Sequence, residues 1–327
     1  MRAVTIRESG GPEVLRVEEV ADLEPPPGHV RVRVAFAAVN RADVLQRMGF
    51  YPPPKGAPEK IPGLEYSGHV DRIGEGVTDL KVGDRVFGLV GGGAYAEQIV
   101  AHEREVVRLP EGIELRDAAA VPEAFVTAYD ALVTRARLVP GERVLVTAVG
   151  SGVGTAGAQI ARALGCFVAG TSRTEDKLRR ASELGLDAPI LAKGSASDIA
   201  DAALRARPEG YDVILELVGG SYIEVDLVAT AQLGRIVVVG LTAGATAEVN
   251  LGALLRKRLT LVGTVLRARP LEEKILAADV LRRTIVPFLE RGLVKPIVDG
   301  VFPLADAGKA HEKMQANETF GKLLLEI

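Results

Sequence analysis

The chain has 327 residues, of which 47% are hydrophobic and 25% charged, and its net charge is −3 at pH 7. That length accommodates two separate cores, while the balanced charge argues against a nucleic-acid or membrane-surface binder, which needs a basic face. Cys166 is the sole cysteine, so neither an intramolecular disulfide nor a cysteine-built zinc site is expected. No apolar run reaches the roughly 18 residues of a membrane span, and no apolar h-region follows Met1, so the expected location is the cytoplasm.

The first 120 or so residues read as β-rich and irregular. Val30-Arg31-Val32-Arg33-Val34 alternates apolar and charged residues, as a half-buried strand does. Short strands are also predicted over 68–74 and 83–88. The prolines at 52, 53, 54 and 58 make 51–58 a loop. From about residue 124 the texture changes. Apolar strands over 143–148, 167–170, 213–218, 235–240 and 259–264 alternate with helical segments, among them 153–164 and 175–184. Such alternation predicts a parallel sheet covered on both faces. The tail, with a helix over about 271–291 and strands over 296–299 and 321–327, returns to the first texture. The expected fold class is therefore α/β: a doubly wound parallel sheet, residues 124–267, inserted into a β-rich domain formed by 1–123 and 268–327.

The strongest local signal is the turn Ala148-Val149-Gly150-Ser151-Gly152-Val153-Gly154-Thr155-Ala156-Gly157, placed between a buried strand and a helix. Glycines allow a tight turn and close approach to a pyrophosphate, and the helix N-terminus offers unpaired N–H groups and a positive dipole end. Gly150, Ser151, Gly152 and Val153 are thus candidate cofactor-binding residues. After the next strand a site that prefers NADH places an acid on the ribose 2′-hydroxyl. Here the order is Gly170-Thr171-Ser172-Arg173-Thr174-Glu175-Asp176-Lys177. Ser172, Arg173 and Lys177 supply a hydroxyl, an N–H fork and a point charge suited to a 2′-phosphate, so NADPH is the expected cofactor.

Several blocks, in order, carry a resemblance to a known family: Gly10-Gly11-Pro12-Glu13, Asn40-Arg41-Ala42-Asp43, Tyr51-Pro52-Pro53-Pro54, Pro62-Gly63-Leu64-Glu65, Ala119-Ala120-Val121-Pro122-Glu123, Gly219-Gly220-Ser221-Tyr222 and Gly321-Lys322. Together they resemble the medium-chain dehydrogenase/reductase superfamily end to end, in its zinc-free quinone oxidoreductase branch, and most of all the p53-inducible quinone oxidoreductase group. The resemblance implies a Rossmann domain inserted in a GroES-like catalytic domain. It implies that Tyr51 lies over the nicotinamide and Asn40 beneath it, both candidate catalytic and cofactor-binding residues. It further implies cofactor contacts at Thr127, Gly240, Leu241, Leu266, Arg267 and Asn317. Zinc-dependent members carry Cys at the place of Asn40, Gly-His-Glu at that of Gly63-Leu64-Glu65, and a further ligand near Glu123-Ala124. The resemblance therefore implies no metal. Ala192 stands where many relatives have a tyrosine near the adenosine phosphate.

The expected activity is hydride transfer from NADPH to a quinone, which needs little acid–base help from the protein. His29, His69, His102 and His311 fall in no site motif and read as surface or structural residues. Tyr51 could donate to an acceptor carbonyl or simply pack among prolines, and Asn40 could orient it or cap a helix starting near Arg41. Two alternatives stand beside quinone reduction: reduction of an activated alkene (an alkenal, enone or enoyl thioester), and NADPH binding with negligible turnover. The expected partners are a small-molecule quinone or activated alkene and a second copy of the chain. Leu259–Val265 would otherwise be an exposed apolar strand edge, which a symmetric homodimer covers.

Overall fold

The computed structural model describes residues 1–327. In chain order the strands are β1 (Arg2–Ile6), β2 (Leu15–Glu19), β3 (His29–Val39), β4 (Glu65–Ile73), β5 (Arg85–Leu89), β6 (Gln98–His102), β7 (Val106–Arg108), β8 (Arg143–Val146), β9 (Phe167–Ser172), β10 (Ala188–Leu191), β11 (Tyr211–Glu216), β12 (Thr230–Val238), β13 (Thr260–Gly263), β14 (Val298–Pro303) and β15 (Lys322–Glu326). The helices are α1 (Arg41–Arg47), α2 (Leu115–Ala118), α3 (Pro122–Tyr129), α4 (Gly152–Ala163), α5 (Glu175–Ser182), α6 (Ala196–Ala206), α7 (Tyr222–Ala229), α8 (Leu251–Lys257), α9 (Leu271–Val280), α10 (Val286–Glu290) and α11 (Ala307–Gln315). No helix is long and apolar enough to cross a membrane.

Two compact units result: Met1–Glu123 with Leu266–Glu290 and Pro296–Ile327, and Ala124–Val265 with Arg291–Lys295. Two stretches differ from the expected boundaries. Leu266 and Arg267 belong to the first unit, where the Arg267 guanidinium donates to Gly91 O at 2.9 Å and to Gln46 Oε1 at 2.5 Å. Arg291–Lys295 belongs to the second, where Lys295 N donates to Gln159 Oε1 at 2.9 Å.

The first unit is built on a seven-stranded sheet in the order β14-β15-β3-β4-β5-β7, with β6 also pairing β3. All its pairs are antiparallel except β14 with β15. Val32, Val34, Tyr66, Val70, Val86, Ile99, Leu323 and Leu325 form its core. Arg31, read as an outward residue of an alternating strand, is buried instead; its guanidinium forks onto Asp71, both bonds 2.9 Å. The strand expected over 83–88 begins at Arg85, because Gly83, at φ 94°, closes a turn first. The helix expected over 271–291 runs as α9, a π-helical segment Leu281–Ile285, and α10. Pro287 lacks the N–H that a continuous α-helix would use there, which suits a local widening of the turn.

The second unit holds a six-stranded parallel sheet in the order β10-β9-β8-β11-β12-β13. Numbered within the sheet this is 3-2-1-4-5-6, the doubly wound order of dinucleotide-binding domains. Val144, Leu145, Val146, Val213, Ile214 and Leu215 in the two central strands are fully buried, which is why they read as unbroken apolar runs.

A polar chain runs through the core of the first unit. Asp43 accepts from Asn40 N (2.8 Å), Gly63 N (3.1 Å) and the Tyr95 hydroxyl (3.1 Å). The Tyr95 oxygen lies 3.2 Å from His311 Nε2, and Arg47 approaches His311 Nδ1 at 3.5 Å. Arg cannot accept, so Nδ1 is the acceptor and Nε2–H donates to Tyr95, whose own proton goes to Asp43. Burial, helped by the charges of Arg47 and Arg41, holds the His311 ring pKa down to about 3, from 6.5. The folded ring stays neutral while the unfolded one takes a proton below pH 6.5. The stability this contributes is complete above pH 6.5 and lost as pH falls toward 3. Asp43, pushed up to about 6 by burial, works with the opposite sign between pH 3.8 and 6. His311→Gln keeps a donor for Tyr95 and an acceptor for Arg47 but cannot titrate. Its unfolding free energy, measured by denaturant titration from pH 7 to 4, should fall less steeply than that of the wild type, by up to about 1.4 kcal/mol per pH unit. Identical slopes would contradict this account of the buried histidine.

Candidate functional site

In the second unit the candidate residues gather at the C-terminal edge of the parallel sheet, where open α/β sheets bind ligands. Leaving β8, the chain turns through Ala148, at φ 47°, into α4. Ser151 is the N-cap, its Oγ accepting from Gly154 N at 3.0 Å. The N–H groups of Gly152 and Val153, first in the helix, have no carbonyl to reach and are left for a ligand. The glycine at 154 is a steric requirement: a Cβ there would lie 2.5 Å from Ala148 O and 2.8 Å from Val149 Cα. Gly157 likewise admits Leu215, whose Cδ2 would stand 2.6 Å from an added Cβ.

The end of β9 lies alongside. Val149 N donates to Thr171 O at 2.9 Å, and Ala148 N to Thr171 Oγ1 at 3.3 Å. Ser172 is buried with its Oγ accepting from Thr174 N, Arg173 is exposed, and Lys177 is half-exposed in the first turn of α5. No acid occupies the end of the strand, and a hydroxyl with two nearby cations is a donor set for a phosphate monoester.

Gly240 and Leu241 follow β12 on the same edge. Gly240 N donates to Glu216 O at 3.2 Å, and a Cβ on Gly240 would sit 2.2 Å from Leu217 O. The Glu216 carboxyl organises the turn after β11, Oε1 accepting from Val218 N (2.5 Å) and Gly219 N (2.6 Å). Asp226 is buried beside it. Burial and the Glu216 charge push the Asp226 carboxyl well above its ordinary range, while burial also raises Glu216. Two buried carboxyls in contact share one proton rather than both ionising. Thr127 is buried on α3.

In the first unit Asn40 and Tyr51 take different places. Asn40 stands at the N-cap position of α1, as one sequence reading has it, in a capping box with Asp43, and its amide also joins a buried ion cluster. Nδ2 donates to Glu65 Oε1 at 2.9 Å, and Oδ1 accepts from Lys322 Nζ at 2.6 Å. The same ammonium donates to Val39 O at 3.1 Å and pairs with Glu65 Oε1 at 2.6 Å. Glu65 Oε2 accepts from Glu123 N at 2.8 Å, which fixes the start of α3. Tyr51 is partly buried, and its ring lies 5.3 Å from the Arg267 guanidinium, which also donates to Tyr51 O at 3.3 Å. Burial raises the pKa of the Tyr51 hydroxyl, so it stays a donor at neutral pH. Leu266 and Arg267 line a small pocket with Leu89, Val90, Glu123 and Lys274. Asn317, in contrast, lies in an exposed turn at φ 58°, its Oδ1 accepting from Arg41 at 2.8 Å.

This donor set does not fit zinc. Where zinc-dependent relatives supply thiolate and imidazole there are an amide, Asn40, and an apolar side chain, Leu64, and the available oxygens of Asn40 and Glu65 already hold the Lys322 ammonium. Sequence reasoning did not single out Lys322, Glu65 or Glu123 as site residues. A lysine opening the apolar run Leu323-Leu324-Leu325 was the visible signal, since a buried cation in a strand needs a partner. For Glu123, burial pushes the carboxyl up to about 8, the Glu65 charge adding to it and Lys322 and Arg267 opposing.

Comparison with known proteins shows the family and the fold. The Zinc-binding dehydrogenase family matches residues 152–281 and the Alcohol dehydrogenase GroES-like domain matches 26–111. The chain is 33% identical to a rat protein named Quinone oxidoreductase over 329 residues, 99% of this chain and 97% of the relative. Among solved structures it resembles an Escherichia coli quinone oxidoreductase complexed with NADPH, at TM-score 0.89 and 28% identity with 100% of both chains covered. It resembles equally an NAD-dependent alcohol dehydrogenase, at TM-score 0.89 and 32% identity with 100% of both chains covered. The chain thus belongs to the medium-chain dehydrogenase/reductase superfamily, an NAD(P)-dependent oxidoreductase with quinone oxidoreductases among its relatives.

Proposed function

We propose that the protein transfers a hydride from NADPH to a quinone without a metal. The observation that carries the cofactor reading is the edge of the parallel sheet: the Ser151-capped start of α4 with its free N–H groups beside an acid-free β9 end bearing Ser172, Arg173 and Lys177. In this reading Gly150, Ser151, Gly152 and Val153 hold the pyrophosphate, and Ser172, Arg173 and Lys177 the 2′-phosphate. Gly240, Leu241 and Thr127 are further proposed cofactor contacts, as are Leu266, Arg267 and Asn317. Bound NADPH supplies the hydride. Tyr51 donates a hydrogen bond to the acceptor oxygen, and Asn40, held by Glu65 and Lys322, presents a fixed amide. Support for a quinone acceptor comes from the naming of the full-length relatives.

The test follows NADPH and NADH oxidation with a small ortho-quinone and with an enone. Rapid oxidation with the quinone, selective for NADPH, is the expected result. Arg173→Ala should weaken NADPH binding at least tenfold, as a lost charge-assisted phosphate contact does, and leave NADH binding unchanged. Equal use of NADH by the wild type would overturn the cofactor assignment, and preference for the enone would overturn the acceptor assignment.

We also propose a symmetric dimer through the β13 edge. Leu261 on β13, Val265 beyond it, and Leu251 and Leu255 on neighbouring α8 are exposed, and an uncovered apolar strand edge invites pairing. Sedimentation at micromolar concentration should give twice the mass of one chain, and a one-chain mass would refute it.

A further inference from the structure

The first unit contains a carboxyl group that neither the fold nor the hydride transfer explains. Glu123 sits at the second position of α3, with its backbone N–H held by Glu65 Oε2 at 2.8 Å. Its position is therefore set by the Asn40–Glu65–Lys322 cluster. The side chain makes no hydrogen bond within the protein; it reaches into the pocket lined by Leu89, Val90, Leu266, Arg267 and Lys274. The pocket wall contains Arg267, whose guanidinium carries the Tyr51 ring at 5.3 Å. A structural acid at a helix start would cap the N-terminal N–H groups or pair with a cation. Glu123 does neither, although Arg267, Arg269 and Lys274 border the same pocket; Arg267 spends all its nitrogens on Gly91 O, Tyr51 O and Gln46 Oε1.

We propose that Glu123 is a catalytic residue: the general acid that protonates the reduced acceptor. The proposal rests on the reading of the protein as a nicotinamide-dependent reductase and supplies the half of the reaction that hydride transfer leaves open. A quinone that accepts a hydride gains two electrons and one hydrogen nucleus and becomes a hydroquinone monoanion. The O–H bond of Glu123 then breaks, its proton forms the new O–H bond of the neutral hydroquinone, and the electron pair stays on the Glu123 carboxylate. Solvent returns the proton. With an activated alkene the same proton would go to the carbon next to the carbonyl.

The groups around the carboxyl suit that role. Glu65 and Asp43 face it with negative charge and favour the protonated form, while Lys322 and Arg267 face it with positive charge and stabilise the carboxylate left after transfer. Tyr51 shares the neighbourhood and is itself affected by the Glu123 charge. With burial the largest influence, the carboxyl titrates at about 8, so the acid form prevails at neutral pH and is lost as pH rises through that value.

The experiment combines kinetics with a direct titration. Wild-type turnover with a quinone at saturating NADPH should fall as pH rises through about 8. Glu123→Gln keeps the size of the side chain but cannot deliver its proton as an acid. It should turn over roughly 10- to 100-fold more slowly, with that alkaline limb gone and NADPH affinity unchanged. Glu123→Asp should recover part of the rate and the limb. Independently of turnover, carbon-13 NMR of protein labelled at the glutamate carboxyl carbon should show a resonance titrating near pH 8 that is absent from Glu123→Gln. A wild type inactive on every acceptor would defeat the proposed function, and the NMR titration would still decide the state of Glu123. Wild-type rates and pH profile in Glu123→Gln, or the absence of any carboxyl titrating well above the ordinary range, would overturn the proposal.

Discussion

Moving an ammonium out of water costs several kcal/mol unless the protein replaces its hydration almost completely. Lys322 meets that requirement with three acceptors, Val39 O, Asn40 Oδ1 and Glu65 Oε1, the last two at 2.6 Å. The first unit is organised around the result. The pair fastens the last strand, β15, to the end of β3 and to the start of β4. Through the other Glu65 oxygen it also fixes Glu123 at the start of α3. Asn40 shares a capping box with Asp43 at the start of α1, and its amide is also held in one orientation by Glu65 and Lys322. Removing either charge would leave the other buried and alone, which in comparable sites costs about 3–5 kcal/mol. In this cluster the oxygens of Asn40 and Glu65 already serve a cation that belongs to the protein.

The second unit depends on a different constraint, the close approach of backbone to backbone. Gly154 and Gly157 let α4 settle against β8 and β11, and Gly240 lets the turn after β12 touch Leu217. These contacts bring successive strand ends onto one edge, where a helix N-terminus, a cationic turn and two glycine turns converge, and Thr147 Oγ1 ties the ends of β8 and β11 by donating to Leu215 O and accepting from Leu217 N. The Glu216–Asp226 pair adds a second support. It buries two carboxyls behind the turn at Val218 and Gly219 and holds that turn through two short bonds, a stiff support for a surface built to face a ligand.

Much of this was readable from the residues because period and burial leave marks in sequence. The central strands β8 and β11 are buried on both faces and appear as apolar runs, and the glycine turn announces itself by position between strand and helix. Other features left weaker marks. Strand β10 is four residues with Pro189 inside it, too short to stand out as periodic, and α8 and α11 are short helices whose stability comes from tertiary packing rather than propensity. The boundary at 265 and the excursion Arg291–Lys295 depend on single side chains, Arg267 and Gln159, that reach across large sequence separations. For His311 the sequence left surface and structural roles open, because nothing near it in sequence supplies its partners, Tyr95 and Arg47, which arrive from 216 and 264 residues away. Lys322, Glu65 and Glu123 were visible one by one, but their joint role is a matter of three segments meeting in space.

The central proposal is that hydride transfer from the bound nicotinamide proceeds without a metal, beside a cluster in which the Asn40 and Glu65 oxygens already hold the Lys322 ammonium. The most direct measurement is quinone-dependent NADPH oxidation by protein purified without added metal, before and after prolonged treatment with a strong zinc chelator, alongside the zinc content of the same samples. The account predicts an unchanged rate and zinc far below one atom per chain. A rate that collapses on chelation and returns in proportion to added zinc would contradict it.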